Sequence, residues 1–243
     1  MYKLELHCHN KEVSACSTCS AEELIKRYRA AGYNGIVSTN HLNGATFRGI
    51  QEKPWREKVA FFFHGIEVLK KAAGDDFDVL PGCEINLTPY NWPSYIPNDY
   101  LLFGITENWL NSVGDVRKMK IDELSQCVHE AGLLIIQAHP FRYGTVIVDQ
   151  HLLDGYEVYN GSSHHDSNDK LANIWAQMNG KIMTSGSDFH YPDDMPSCGI
   201  KTIERIQDND MLICVLRSGN YELLHKKTDA STVCKNQHSE TNS

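Results

Sequence analysis

The feature that most constrains this chain is a succession of about seven short apolar runs, most of them separated by amphipathic segments. The runs begin near Leu4, Gly35, Phe77, Tyr100, Leu133, Gly155 and Lys181. Strands alternating with helices imply a parallel sheet, open or closed into a barrel. Leu133 to Gln137 is apolar almost without a break, as a strand buried on both faces requires. The helices carry their own punctuation. Ser20-Ala21-Glu22-Glu23 is a capping box ahead of helical spacing at Leu24, Ile25, Tyr28 and Ala31, and Gly32 closes that helix. Pro54 to Gly74, Ile121 to Ala131, Asp166 to Asn179 and Asp208 to about Arg217 read as further helices.

Where the polar residues fall narrows the choice of architecture. Leu4 to His9 alternates in polarity, so His7 and His9 aim two imidazoles at one point. Neutral imidazole is a common ligand for zinc, iron and manganese, and two rings on one strand end make half a metal site. His41, Glu84, His139, Asn160 and the pair Asp188 and His190 lie at the carboxyl ends of the later strands. In a barrel those ends converge on one face, where active sites sit. An open doubly wound sheet would spread them along an edge. The pattern favours the barrel.

Composition sets limits on partners and setting. A chain of 243 residues holds one large α/β domain or two small ones. Its net charge of −8 disfavours sequence-independent binding of long nucleic acid. No apolar run approaches the roughly 18 residues of a membrane span, and the N-terminus runs directly into a charged strand, so a cytoplasmic protein is expected. The eight cysteines are scattered rather than arranged as a disulfide framework. Cys16-Ser-Thr-Cys19 has no second CxxC to complete a structural zinc site; a redox pair and two reduced loop cysteines both remain open. The loop from Pro89 to Pro97 is long enough to form a pocket wall or lid. Residues 228–243 are polar and expected to be a disordered tail behind a single domain spanning 1–227. His64, His129, His151, His225 and His238 match no motif and are expected to face solvent.

Five short motifs occur in order: His7-Cys8-His9, Thr39-Asn40-His41, Gly82-Cys83-Glu84, Ala138-His139-Pro140 and Gly186-Ser187-Asp188-Phe189-His190. In order and spacing they resemble those of the PHP (polymerase and histidinol phosphatase) metallophosphoesterases, over roughly residues 1–205. The resemblance implies an α/β fold, a distorted (β/α)7 TIM-like barrel, holding two or three divalent ions. It implies His7, His9, His41, Glu84, His139, Asp188 and His190 as ligands, with Glu84 bridging two ions. Asp99 aligns with a further ligand that is usually histidine, and Glu12 is the nearest acidic candidate for a position soon after the HxH. Asn40 replaces a common aspartate. More oxygen ligands would tilt a third position towards manganese or iron rather than zinc.

The implied activity is a metal-dependent phosphoesterase acting on a small phosphorylated substrate: a phosphate monoester, a nucleotide or a short oligonucleotide. Two cations about 3.5–4 Å apart can hold a bridging hydroxide at neutral pH and neutralise phosphate oxygens. Asp188, His190 and Arg142 are the expected catalytic residues, and Arg142, Asn160 and His164 the expected substrate contacts. Arg142 suits a bidentate grip on phosphate or an ordinary surface salt bridge, and Asn160 suits a bound water, the substrate or a structural turn before Gly161. His164 or His165 could protonate the leaving group. Two other readings compete. An amidohydrolase-like hydrolase also places an HxH on strand one, but usually takes its bridging ligand from strand four, whereas Glu84 ends strand three. A degenerate PHP binding or scaffold module would have lost several ligands.

Overall fold

Every apolar run of the sequence becomes a strand, and two short strands follow the last of them. The structure is a computed structural model that describes residues 1–88 and 97–225. In chain order the elements are β1 (Tyr2–Cys8), α1 (Ala21–Ala30), β2 (Gly35–Ser38), α2 (Trp55–Ala73), β3 (Asp78–Leu87), β4 (Asn98–Phe103), α3 (Glu107–Val113), α4 (Ile121–Glu130), β5 (Leu134–Gln137), β6 (Gly155–Asn160), α5 (Asp169–Met178), β7 (Ile182–Gly186), β8 (Gly199–Thr202), α6 (Asn209–Ser218) and β9 (Glu222–Leu224). The nine strands form one sheet in the order β7-β6-β5-β4-β3-β2-β1-β8-β9. The whole 228–243 tail, and all but Pro97 of the Pro89 to Pro97 loop, lie outside the described residues.

The strand directions depart from an all-parallel barrel. β1, β2 and β3 are parallel, as are β5, β6 and β7, but β4 is antiparallel to both β3 and β5. A parallel return needs a crossover of a dozen or more residues, usually a helix, and the short link between β3 and β4 leaves no room for one. The consequence reaches the site: the N-terminal end of β4 lies beside the C-terminal end of β3, with Asp99 opposite Asn86. β8 and β9 form an antiparallel addition along β1.

The sheet curls until its β7 edge meets β1, making a nearly closed, distorted barrel. Gly186 marks the approach, since a Cβ there would sit 2.2 Å from the Cβ of His7. Past β7 the backbone continues the closure: Asp188 N–H donates to the His7 carbonyl at 2.8 Å, and His9 N–H to the Phe189 carbonyl at 2.9 Å. Helices cover the outside. On α2, Val59, Phe62, Ile66 and Leu69 follow helical spacing and are buried, whereas Phe61 and His64 are turned outward. Burying a side chain the size of Phe62 contributes about 1.5–3 kcal/mol. Ser20 caps α1 through the Glu23 N–H, and Asp208 caps α6 through the Met211 N–H. Among the described residues no helix is long and apolar enough to cross a membrane.

Candidate metal centre

The barrel's polar residues meet at one end. From β1 comes His7 and from just past its end His9, from the bridge after β2 His41, from β3 Glu84, from β4 Asp99, from just past β5 His139, and from the segment after β7 Asp188 and His190. They fall into three groups, two of which share His9, whose ligand atoms are close enough to hold an ion: His7, His9 and Asp188; Glu84, Asp99 and His139; and His9, His41 and His190. Asp188 Oδ1 stands 3.4 Å from His7 Nε2 and 3.5 Å from His9 Nε2. His139 Nε2 stands 3.5 Å from both Glu84 Oε1 and Asp99 Oδ2. Glu84 lies between the groups, its Oε2 being 3.4 Å from His7 Nε2, 3.4 Å from His9 Nε2 and 3.0 Å from His41 Nδ1.

These residues fit divalent ions on two counts. His7 Nε2, His9 Nε2, His41 Nδ1 and Glu84 Oε2 are buried and make no hydrogen bond. Each such atom costs about 1–3 kcal/mol when nothing compensates it. The spacing is also that of ligands rather than of hydrogen-bond partners: donors about 2.1 Å from a tetrahedral ion stand roughly 3.4 Å apart. The mixture of imidazole nitrogen and carboxylate oxygen suits zinc, iron and manganese.

The electrostatics belong to groups waiting for positive charge. Burial would lower His7, but the carboxylates of Glu157, Asp188 and Glu84 outweigh it and raise the imidazole well above its usual range. His139 is likewise raised to about 9, burial being overcome by its contacts with Glu84 and Asp99. Burial, then His190 and His41, hold His9 well below the usual imidazole range, and burial also lowers His41. Glu84 and Asp188 are held well below the carboxylate range: burial opposes, but the surrounding histidines prevail. Asp99 is pushed up to about 7 by burial and by Glu84. Two ligand candidates adopt a left-handed backbone, His139 with φ 29° and Asp188 with φ 51°. Strain of this kind, about 1–3 kcal/mol per residue, clusters at functional sites.

The other expected site residues sort cleanly. Glu12 stands apart from the others: its carboxylate accepts from Ala21 N–H at 3.2 Å and from Asn10 Nδ2 at 2.7 Å, so it serves the start of α1 and joins none of the three groups. The positive end of the helix competes successfully for that charge. Arg142 is half-buried and borders a cleft of about 270 Å³ above the groups. A second lobe of about 290 Å³, carrying Asn43 and Asn86, shares Cys16, His41, Asp99 and Arg142 with the first. Asn160 faces the site, its Nδ2 donating to Glu157 Oε2 at 2.9 Å and to Asp188 Oδ2 at 3.3 Å. His164, exposed at the cleft, has its Nε2 2.8 Å from Asp194 Oδ1. His165 Nε2 lies 3.9 Å from Asp188 Oδ2, and burial pushes that ring down to about 4. The CxxC is divided: Cys16 borders the cleft and Cys19 is buried.

Three acidic residues that support the site went unread in the sequence. Glu157 lies on β6 with its Oε1 2.8 Å from His7 Nδ1, and its Oε2 accepts from the His139 N–H at 3.0 Å. Glu5 accepts from the N–H groups of Leu6, His7 and Ser187 and from the Tyr28 hydroxyl. Burial pushes Glu5 up to about 7 against those bonds. Asp194 accepts from the N–H groups of His190 and Tyr191, both at 2.8 Å. The available signal was a charge within an apolar run, as in Leu4-Glu5-Leu6 and Tyr156-Glu157-Val158.

No protein-family model matches the chain, and no curated protein matches it in sequence. Solved structures do resemble it in fold. A two-domain protein from Bacteroides vulgatus, described as containing a predicted PHP-like metal-dependent phosphoesterase, superposes with a TM-score of 0.62 at 12% identity, covering 92% of this chain and 64% of that one. A lesion-specific endonuclease from Pyrococcus furiosus gives a TM-score of 0.60 at 13% identity, over 91% of this chain and 57% of the other. An amidohydrolase from Chromobacterium violaceum, with bound sulfate and no metal, gives 0.50 at 14% identity, over 90% and 97%. The chain therefore has the distorted TIM-like barrel of the PHP-like proteins.

Proposed function

We propose that this protein is a metal-dependent phosphoesterase that hydrolyses a small phosphorylated substrate, and that residues 1–227 form its single domain. The observation that carries the proposal is the convergence of three histidine and carboxylate groups, with unpaired buried ligand atoms, beneath a cleft that Arg142 borders. His7, His9 and Asp188 would hold one ion, Glu84, Asp99 and His139 a second, and His9, His41 and His190 are placed for a third. Glu84, which lies beside donors of all three groups, would offer its carboxylate to more than one of them. Divalent ions bound there would activate water and neutralise phosphate oxygens.

The chain's own residues supply the rest. Arg142 offers a planar pair of donors to the phosphate. Asn160, tied to Asp188 and Glu157, orients the Asp188 carboxylate. His164, held by Asp194, is the group to give a proton to the departing oxygen. Arg142 is the one lysine or arginine among the described residues bordering either lobe. A polynucleotide track would need a row of cations, so a monoester or nucleotide is favoured over a long strand. The amidohydrolase reading is disfavoured because Glu84 lies on β3 rather than at the end of strand four.

The test is hydrolysis of a panel of phosphate monoesters, nucleotides and short oligonucleotides by chelated and by reconstituted protein. Phosphate release abolished by chelation and restored by manganese, zinc or iron is expected. Hydrolysis that survives exhaustive chelation, or none with any of the three ions, would contradict the proposal.

A further inference from the structure

We propose that Glu157 is a positioning residue that fixes which nitrogen of His7 is free to bind a cation. This rests on the reading of His7 as a ligand. The carboxylate is buried and its two oxygens serve three donors: His7 Nδ1 at 2.8 Å on Oε1, and the His139 N–H at 3.0 Å with Asn160 Nδ2 at 2.9 Å on Oε2. With Nδ1 donating to Glu157, the lone pair of the neutral His7 ring, the form that binds a cation, lies on Nε2. That atom faces Glu84 Oε2 and Asp188 Oδ1, each 3.4 Å away, and has no hydrogen bond of its own. Only the anionic carboxylate can accept from all three donors at once.

Replacing it by the isosteric amide makes the point sharp. Glutamine must turn its NH2 towards one of the three donors. The His139 peptide N–H cannot become an acceptor. Asn160 is pinned as well, because its Oδ1 already accepts from the Ser162 N–H at 3.0 Å. His7 is the partner that can adapt, by moving its proton from Nδ1 to Nε2. The protonated Nε2 then has no lone pair for a cation.

The experiment is a chelator-competition titration with Zn²⁺ on wild type, Glu157→Gln, His7→Ala and the double variant. Glu157→Gln is expected to weaken binding roughly 10- to 100-fold, as loss of a partner behind a ligating histidine does. In the His7→Ala background the same substitution should cost no more than about twofold, because its effect passes through His7. Unchanged affinity in a folded Glu157→Gln, or an equal loss in both backgrounds, overturns the inference. Ring ¹⁵N spectra of the zinc-loaded wild type need no variant: His7 should carry its proton on Nδ1, and a proton on Nε2 refutes the assignment. Failure is separable from that of the functional proposal. A wild type that binds Zn²⁺ but hydrolyses no phosphoester removes the activity and leaves this inference standing, and a wild type that binds no ion removes both.

Discussion

Asp188 is where chemistry and stability come apart most clearly. Its Oδ1 stands within 3.5 Å of His7, His9 and His190, yet its own side-chain hydrogen bond, from Asn160, is long at 3.3 Å. Asp188→Ala is therefore expected to lower turnover on the order of 10³-fold while changing unfolding free energy by less than about 2 kcal/mol. Steady-state kinetics and denaturant unfolding on the same preparation decide it; a folded variant with near-normal turnover would show the site to be misplaced. Arg142 makes a different prediction. Lysine keeps the charge but loses the paired donors, so Arg142→Lys should raise KM about tenfold, with a smaller effect on kcat. An unchanged KM would mean that Arg142 does not touch the substrate.

At the scale of elements, the seam between β1 and β7 sets the site. Asp188 and His190 follow β7 directly, and their backbone is docked on β1. Gly186→Ala would push a methyl group into the His7 Cβ, and should destabilise the fold by about 1–3 kcal/mol by denaturant unfolding. A neutral effect would mean that the two strands stand further apart. The elements also show what was legible beforehand. Apolar runs such as Leu134–Gln137 and punctuation such as Ser20 and Gly32 placed strands and helices to within a few residues. The direction of β4 was not legible, because a strand's composition does not record which way it runs. β8 and β9, of four and three residues, are too brief to stand out by periodicity. The ligand candidates stood out because histidines at strand ends are conspicuous. Glu5 and Glu157 did not, since a single charge inside an apolar run gains meaning only when its donors, such as Tyr28 and the His139 N–H, arrive from distant parts of the chain.

The whole molecule can be seen as a barrel with a charge conflict at one end. Three carboxylates and five imidazoles share a buried space, and several of their atoms have no protein partner. Ions that bind the folded chain and not the unfolded one would resolve that conflict and stabilise the fold by about 2.7 kcal/mol at a hundredfold excess over Kd. Chelation should accordingly lower the thermal midpoint by several degrees, and re-addition of metal should restore it. The most direct check is elemental analysis of protein purified without chelator. Two or three equivalents of zinc, manganese or iron per chain are expected. Negligible metal that persists after reconstitution with each ion would contradict a metal centre here.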